Sequence, residues 1–258
     1  MARTPREKSK TGIYHIILRG TNRQEIFHED DDRIRFLETL KRYKEETKIN
    51  VYGWCLMDNH IHLLLRESAQ ENIGMTMKRL AVSFVCYYNK KYKTIGHLFQ
   101  DRFKSEKVDT DAYLLTVVRY IHQNPVKAGI VQKSYLWKWS SCLGYYGENY
   151  YPDTLLDEEF ILNMFYKQKL KAIELFKEFN EQDNADKCLE DIMPKNITDD
   201  ELKDKIKEII PNINIISIKT LEKTERNEVL KKIKKIEGIT QRQLARVIGI
   251  SQGLISRV

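Results

Sequence analysis

With 258 residues, 41% of them hydrophobic and 31% charged, the chain can bury one large core or two modest ones and has the balance of a globular protein. Its net charge of +7, from 44 basic and 37 acidic residues, favours a polyanionic partner. No apolar run approaches the roughly 20 residues of a bilayer span, and the first residues lack the apolar core of a secretory signal, so no membrane association is expected.

In chain order, residues 13–20 (Ile-Tyr-His-Ile-Ile-Leu-Arg-Gly) read as a first strand ended by Gly20. Asp30 to Lys48 repeats Ile34, Leu37, Leu40 and Tyr43 at helical spacing. Val51–Leu56 and His60–Arg66 follow as two strands joined by the turn-like Met57-Asp58-Asn59. Asn72–Tyr92 carries Ile73, Met77, Leu80, Phe84 and Tyr88 on one helical stripe. Phe103–Val108 is a fourth strand, and Asp109–Val126 a helix with Leu114, Val117, Val118 and Ile121 inward. The order β-α-β-β-α-β plus a helix predicts an α+β, ferredoxin-like (split βαβ) antiparallel sheet.

Two stretches of this region carry chemistry. His60 and His62 leave the same face of a strand, so both imidazoles can converge on one metal ion. Tyr120 and Asn124, four apart on a helix, share a face. Taken singly, each residue has a plainer reading: core histidines, a packed tyrosine, and an asparagine that ends a helix before Pro125. Together they point to metal-assisted phosphoryl transfer with a tyrosine nucleophile. Basic residues cluster nearby, with Arg3, Arg6, Lys8, Lys10, Arg19 and Arg23 at the start of the chain. Lys90, Lys91, Lys93, Arg102, Lys104 and Lys107 are interleaved with tyrosines and phenylalanines, a pattern suited to phosphates and unpaired bases. Cys55, Cys86, Cys142 and Cys188 form no Cys-x-x-Cys pair, so reduced thiols are expected.

After about residue 150 the composition shifts. A charge-rich helical extension leads to a linker at Pro194–Asp200, then a lysine-rich helical segment. The last residues, from Thr240, have helix-turn-helix spacing: Ala245 at a crossing, Gly249 in the turn, Ser251 as a cap and Ile255 apolar on the second helix, within which the sequence runs out. Gln252, Ser256 and Arg257 would then face a major groove; the plainer alternative is a hairpin that only packs. The expected division is 1–150 as the nuclease domain, 151–195 as extension and linker, and 196–258 as a helical DNA-binding domain.

Trp54-Cys-Leu-Met-Asp-Asn-His-Ile-His-Leu-Leu-Leu, Gly96-His-Leu-Phe-Gln-Asp-Arg-Phe-Lys-Ser and Arg119-Tyr-Ile-His-Gln-Asn-Pro-Val-Lys-Ala-Gly resemble the HUH single-tyrosine transposases, in particular the REP-associated branch. The resemblance spans roughly residues 10–150. It implies His60, His62 and Asn124 as ligands of Mg²⁺ or Mn²⁺, with Gln123 in second place, and Tyr120 as the nucleophile. His122 belongs to the motif without an implied role. Arg19, Arg23, Arg102 and Lys104 would contact single-stranded or hairpin DNA, while Gln252 and Arg257 would contact duplex DNA. The implied protein is a monomer or homodimer, prokaryotic, cytoplasmic and nucleoid-associated. It would nick and rejoin DNA through a 5′-phosphotyrosine. The competing class is a non-catalytic DNA-binding regulator derived from such a transposase.

Overall fold

A computed structural model describes residues 7–189, 197–236 and 238–258; Arg3, Arg6 and the first half of the expected linker lie outside them. The chain divides into two compact units, Met1–Glu190 and Asp191–Val258.

The first unit is built on strands β1 (Ile13–Arg19), β2 (Asn50–Leu56), β3 (His60–Arg66) and β4 (Lys104–Lys107) in the order β2-β3-β1-β4. All neighbours are antiparallel. With helices α1 (Asp30–Thr47) and α2 (Ile73–Tyr92) between the strands, this is the expected split βαβ α+β fold. A third helix, α3 (Asp111–Lys127), follows β4, and the one-turn α4 (Cys142–Tyr145), α5 (Glu159–Phe165) and α6 (Lys169–Glu181) also belong to the unit. Leu155, Ile161, Phe176 and Cys188 belong to the same buried cluster as the sheet.

Local chemistry explains the helix boundaries. Glu29 and Asp32 form a reciprocal capping box on α1, whose first turn holds three aspartates against the positive end of the helix. Thr110 caps α3 by accepting from Tyr113 N. Pro125 does not stop α3, because it lies in the last turn, where a missing N–H costs a single helical bond. Asn124 therefore stays helical, one turn beyond Tyr120. Phe36 of α1 meets Phe84 of α2 edge-on at 5.4 Å.

Between the helices Asp32 is fully buried, yet it accepts from Lys91 Nζ at 2.7 Å, Tyr92 Oη at 2.7 Å, Tyr87 Oη at 3.0 Å and the backbone of His28 and Glu29. Burial alone would raise its pKa, but the bonds from Lys91, Tyr92 and the backbone outweigh it and hold the carboxyl at about 2. A depressed folded-state pKa contributes stability above the unfolded value near 3.8, lost as pH falls through about 2. The contribution is about 2 kcal/mol. The urea midpoint gap between wild type and Asp32→Asn is expected to be widest above pH 4 and to narrow toward pH 2; a constant gap would refute this.

The second unit contains α7 (Asp199–Ile209), a 3₁₀ turn (Ile215–Thr220), α8 (Lys223–Ile233), α9 (Gln241–Ile248) and α10 (Gln252–Ser256). Leu202, Ile206, Ile218, Leu230, Leu244, Ile248 and Ile255 form its core. Gly249 ends α9 at φ +78°, a conformation that glycine adopts without strain. Ser251 stands at the N-cap of α10, but its side chain makes no capping bond.

Candidate active site

Sheet register assembles the site. On β3, His60 and His62 share a face, with their ring centroids 5.0 Å apart. On β1, Arg19 lies opposite His60, Ile17 opposite His62 and His15 opposite Leu64, so His15, Ile17 and Arg19 share that face. On β4, Lys104 pairs with Ile17 and Glu106 with His15, which brings both onto it as well. α3 lies over this face: the Tyr120 ring stands 5.8 Å from that of His62 and 6.0 Å from that of His15.

His60 is placed by the turn before it. Asp58 pairs with the buried Arg33, and its carbonyl accepts from Ile26 N and Phe27 N. Asn59 Oδ1 lies 2.6 Å from His60 Nδ1, and His60 Nε2 lies 3.3 Å from Asn124 Oδ1. With Nδ1 donating to Asn59, Nε2 turns its lone pair toward the Asn124 oxygen. Two acceptors facing each other repel unless a cation lies between them, and imidazole nitrogen with amide oxygen is a set that divalent metals take. Burial, then the Arg19 charge, lowers His60 to about 4, against the bond that a protonated Nε2 would donate to the Asn124 oxygen. Burial, then His60, lowers His62 well below the ordinary histidine value. Both imidazoles are therefore neutral, as ligation requires, at pH 7. The residues fit a metal.

Two cations stand near the phenol, Lys127 and Arg19. Lys127 Nζ lies 4.7 Å over the Tyr120 ring. Burial, then Arg23, lowers the Arg19 guanidinium from its usual value, while burial, then Arg19, lowers Lys104. Asn22 and Arg23 sit at φ 54° and 59°, two successive non-glycine residues in the left-handed region beside the site. Gly20 is required before them, since a Cβ there would meet Gln24 O at 2.2 Å. Tyr120 is only 2% exposed. Arg23, Arg102 and Lys104 are exposed, whereas Gln252 and Arg257 are exposed in the other unit.

Gln123 points away from the histidines: Nε2 donates to the carbonyls of Asn180 and Gln182, and Oε1 accepts from Asn184. Arg119 grips Asp186 with two bonds of 2.8 and 3.0 Å. His122 is fully buried, with Nδ1 at 3.1 Å from Asn180 Oδ1 and Nε2 at 2.9 Å from Ser141 Oγ. It therefore ties α3 to α6 and to the segment before α4. His122→Ala is expected to cost about 3 kcal/mol in urea unfolding, from the cavity and the stranded Asn180 and Ser141. Unchanged stability would refute that role.

Sequence reasoning missed His15, Glu106 and Cys188, which offer ligand atoms within 4.8 Å of one another. His15 Nδ1 lies 2.6 Å from Glu106 Oε1, and His15 Nε2 lies 3.0 Å from His62 Nδ1. The alternation of His15, Ile17 and Arg19 along β1 was the available signal. Burial pushes the Cys188 thiol up to about 12, which keeps it protonated.

Comparison with known proteins finds relatives for the first unit. The family described as "Transposase IS200 like" matches residues 8–124. A curated Haemophilus influenzae relative, named as a REP-associated tyrosine transposase, is 28% identical over 155 residues, 55% of this chain and 85% of the relative. Among solved structures, a REP-associated tyrosine transposase bound to a REP hairpin superposes with a TM-score of 0.49 at 18% identity, over 59% of this chain and 89% of that one. A Deinococcus radiodurans crystal structure named as a transposase gives 0.33 at 15% identity, over 49% and 97%. The resemblance read from the motifs is thus borne out. Residues 8–124 are similar to the IS200-like transposases, whose named relatives are DNA-processing enzymes.

Proposed function

We propose that the first unit is a metal-dependent single-stranded DNA endonuclease and strand transferase that uses Tyr120 as its nucleophile. The observation that carries this reading is the placement of Tyr120 against His62, beside the facing His60 Nε2 and Asn124 Oδ1 pair, with Lys127 over its ring and Arg19 near enough to sense its charge. His60, His62 and Asn124 would hold Mg²⁺ or Mn²⁺, which supplies Lewis-acid stabilisation of charge on the scissile phosphate.

Arg19, Lys104 and Lys127 attract the strand. Burial first, and then repulsion by Arg23 on Arg19 and by Arg19 on Lys104, lowers the affinity of these groups for their protons, and the repulsive part is relieved when a phosphate arrives. Tyr120 Oη then attacks phosphorus, forming one P–O bond as the bond to the 3′-oxygen breaks. The proton lost by the phenol is balanced by the one the 3′-oxygen takes up. A 5′-phosphotyrosine and a free 3′-hydroxyl result. Attack by a 3′-hydroxyl reverses the step and joins strands, and one ester replaces another without an external energy source. A 5′-labelled hairpin strand should shorten to a product that a polymerase can extend; a 3′-phosphate product would contradict this.

The second unit supports a duplex-binding role. α9 and α10 flank Gly249 at helix-turn-helix spacing, with Gln252 and Arg257 exposed. Deleting residues 196–258 is expected to weaken or redirect DNA binding while leaving covalent chemistry on a minimal strand intact. Complete loss of nicking would refute this division of labour. Retention of both units without cleavage would instead mark a DNA-binding regulator derived from a transposase.

A further inference from the structure

A metal-ligating histidine needs its other ring nitrogen to carry the proton and to have somewhere to donate it. For His60 that acceptor is the adjacent Asn59. For His62 the structure supplies a longer device. β1–β4 pairing puts Glu106 directly opposite His15, and β1–β3 pairing puts His15 diagonal to His62. The outcome is a line of three side chains: Glu106 Oε1 2.6 Å from His15 Nδ1, and His15 Nε2 3.0 Å from His62 Nδ1. Both histidines are fully buried. Leu189 N also donates to Glu106 Oε1 at 3.1 Å, so a residue far beyond the catalytic motifs fastens the end of the line.

The protons along this line are determined from the carboxylate inward. Burial works against a charge on Glu106, yet the bonds from His15 and Leu189 offset it and keep the carboxyl below its ordinary range. An ionised carboxylate only accepts, so the Nδ1 of His15 must donate. The same network argues against a second metal bound by His15, Glu106 and Cys188, because the carboxylate is already engaged and the thiol holds its proton.

We propose that Glu106 and His15 are positioning residues that set the tautomer of His62. The carboxylate fixes the His15 proton on Nδ1, and His15 Nε2 accepts the Nδ1–H of His62. His62 Nε2 is then the unprotonated ligand atom. The inference rests on the metal reading of His60, His62 and Asn124, and two measurements separate the failure of one from the failure of the other.

The first is a long-range ¹H–¹⁵N correlation spectrum of the full chain labelled at histidine, without metal. His15 and His62 are both expected as Nδ1–H tautomers; a His62 proton on Nε2 overturns the proposal. The second is Mn²⁺ affinity, read from the free-ion electron paramagnetic resonance signal. His15→Leu should weaken binding about 10- to 100-fold. His15→Gln, whose carbonyl oxygen can still accept from His62, should recover most of it. Equal affinity of wild type and a folded His15→Leu overturns the proposal, whereas failure of the wild type to bind Mn²⁺ overturns the metal reading and leaves the spectrum to decide the tautomer. If His15→Leu does not fold, the wild-type spectrum decides alone.

Discussion

Replacing Tyr120 by phenylalanine is expected to reduce strand cleavage on the order of 10⁴-fold or more, with affinity for the uncut strand nearly unchanged. The substitution removes a single oxygen. The ring keeps its packing against His15 and His62 and its place under Lys127, so the fold and the cation field persist. Without Oη no covalent bond to phosphorus forms. Water is a poor substitute, because the phenylalanine ring still fills the space that the tyrosine ring occupied and leaves the attacking position to be found anew. Single-turnover cleavage and filter binding on one preparation separate the two effects. Normal cleavage by Tyr120→Phe would remove the nucleophile assignment, while loss of binding as well would make Tyr120 a packing residue.

The second large effect is expected at His60. His60→Ala should lower cleavage on the order of 10³-fold, and the residual rate should no longer rise with added Mn²⁺. The imidazole is only partly buried, so its loss disturbs the core less than the loss of the fully buried His62 would. A stability change of about 1 kcal/mol is expected for a partly buried side chain. The control is the Mn²⁺ titration itself. A variant that stays slow yet keeps the wild-type metal dependence would show that His60 positions the strand and does not hold the ion.

Much of this site was legible in the sequence because its signals are local. Strand β3 spans His60–Arg66 as read from the apolar run, and the i, i+2 rule alone brings His60 and His62 together. Helical periodicity likewise puts Tyr120 and Asn124 on one face of α3. What was not legible depends on register and on distant docking. Nothing in Tyr14-His15-Ile16 or Ser105-Glu106-Lys107 says that His15 and Glu106 stand opposite each other; that pairing follows from how β4 aligns with β1. His122 acquires a role only when α6 brings Asn180 to it, 58 residues away in sequence. Gln123 is withdrawn from the histidines by the same segment, through bonds to Asn180, Gln182 and Asn184 that no short motif encodes. At Ser251 the position was read correctly as an N-cap, but the expected side-chain bond is not made.

The most direct measurement is formation of a covalent adduct between the wild-type protein and 3′-labelled single-stranded DNA hairpins, with and without Mn²⁺. A tyrosine nickase predicts a metal-dependent, denaturant-resistant and protease-sensitive labelled band that Tyr120→Phe abolishes. Tight binding with no adduct, across a panel of hairpins and both Mg²⁺ and Mn²⁺, would contradict it and identify the protein as a DNA-binding regulator.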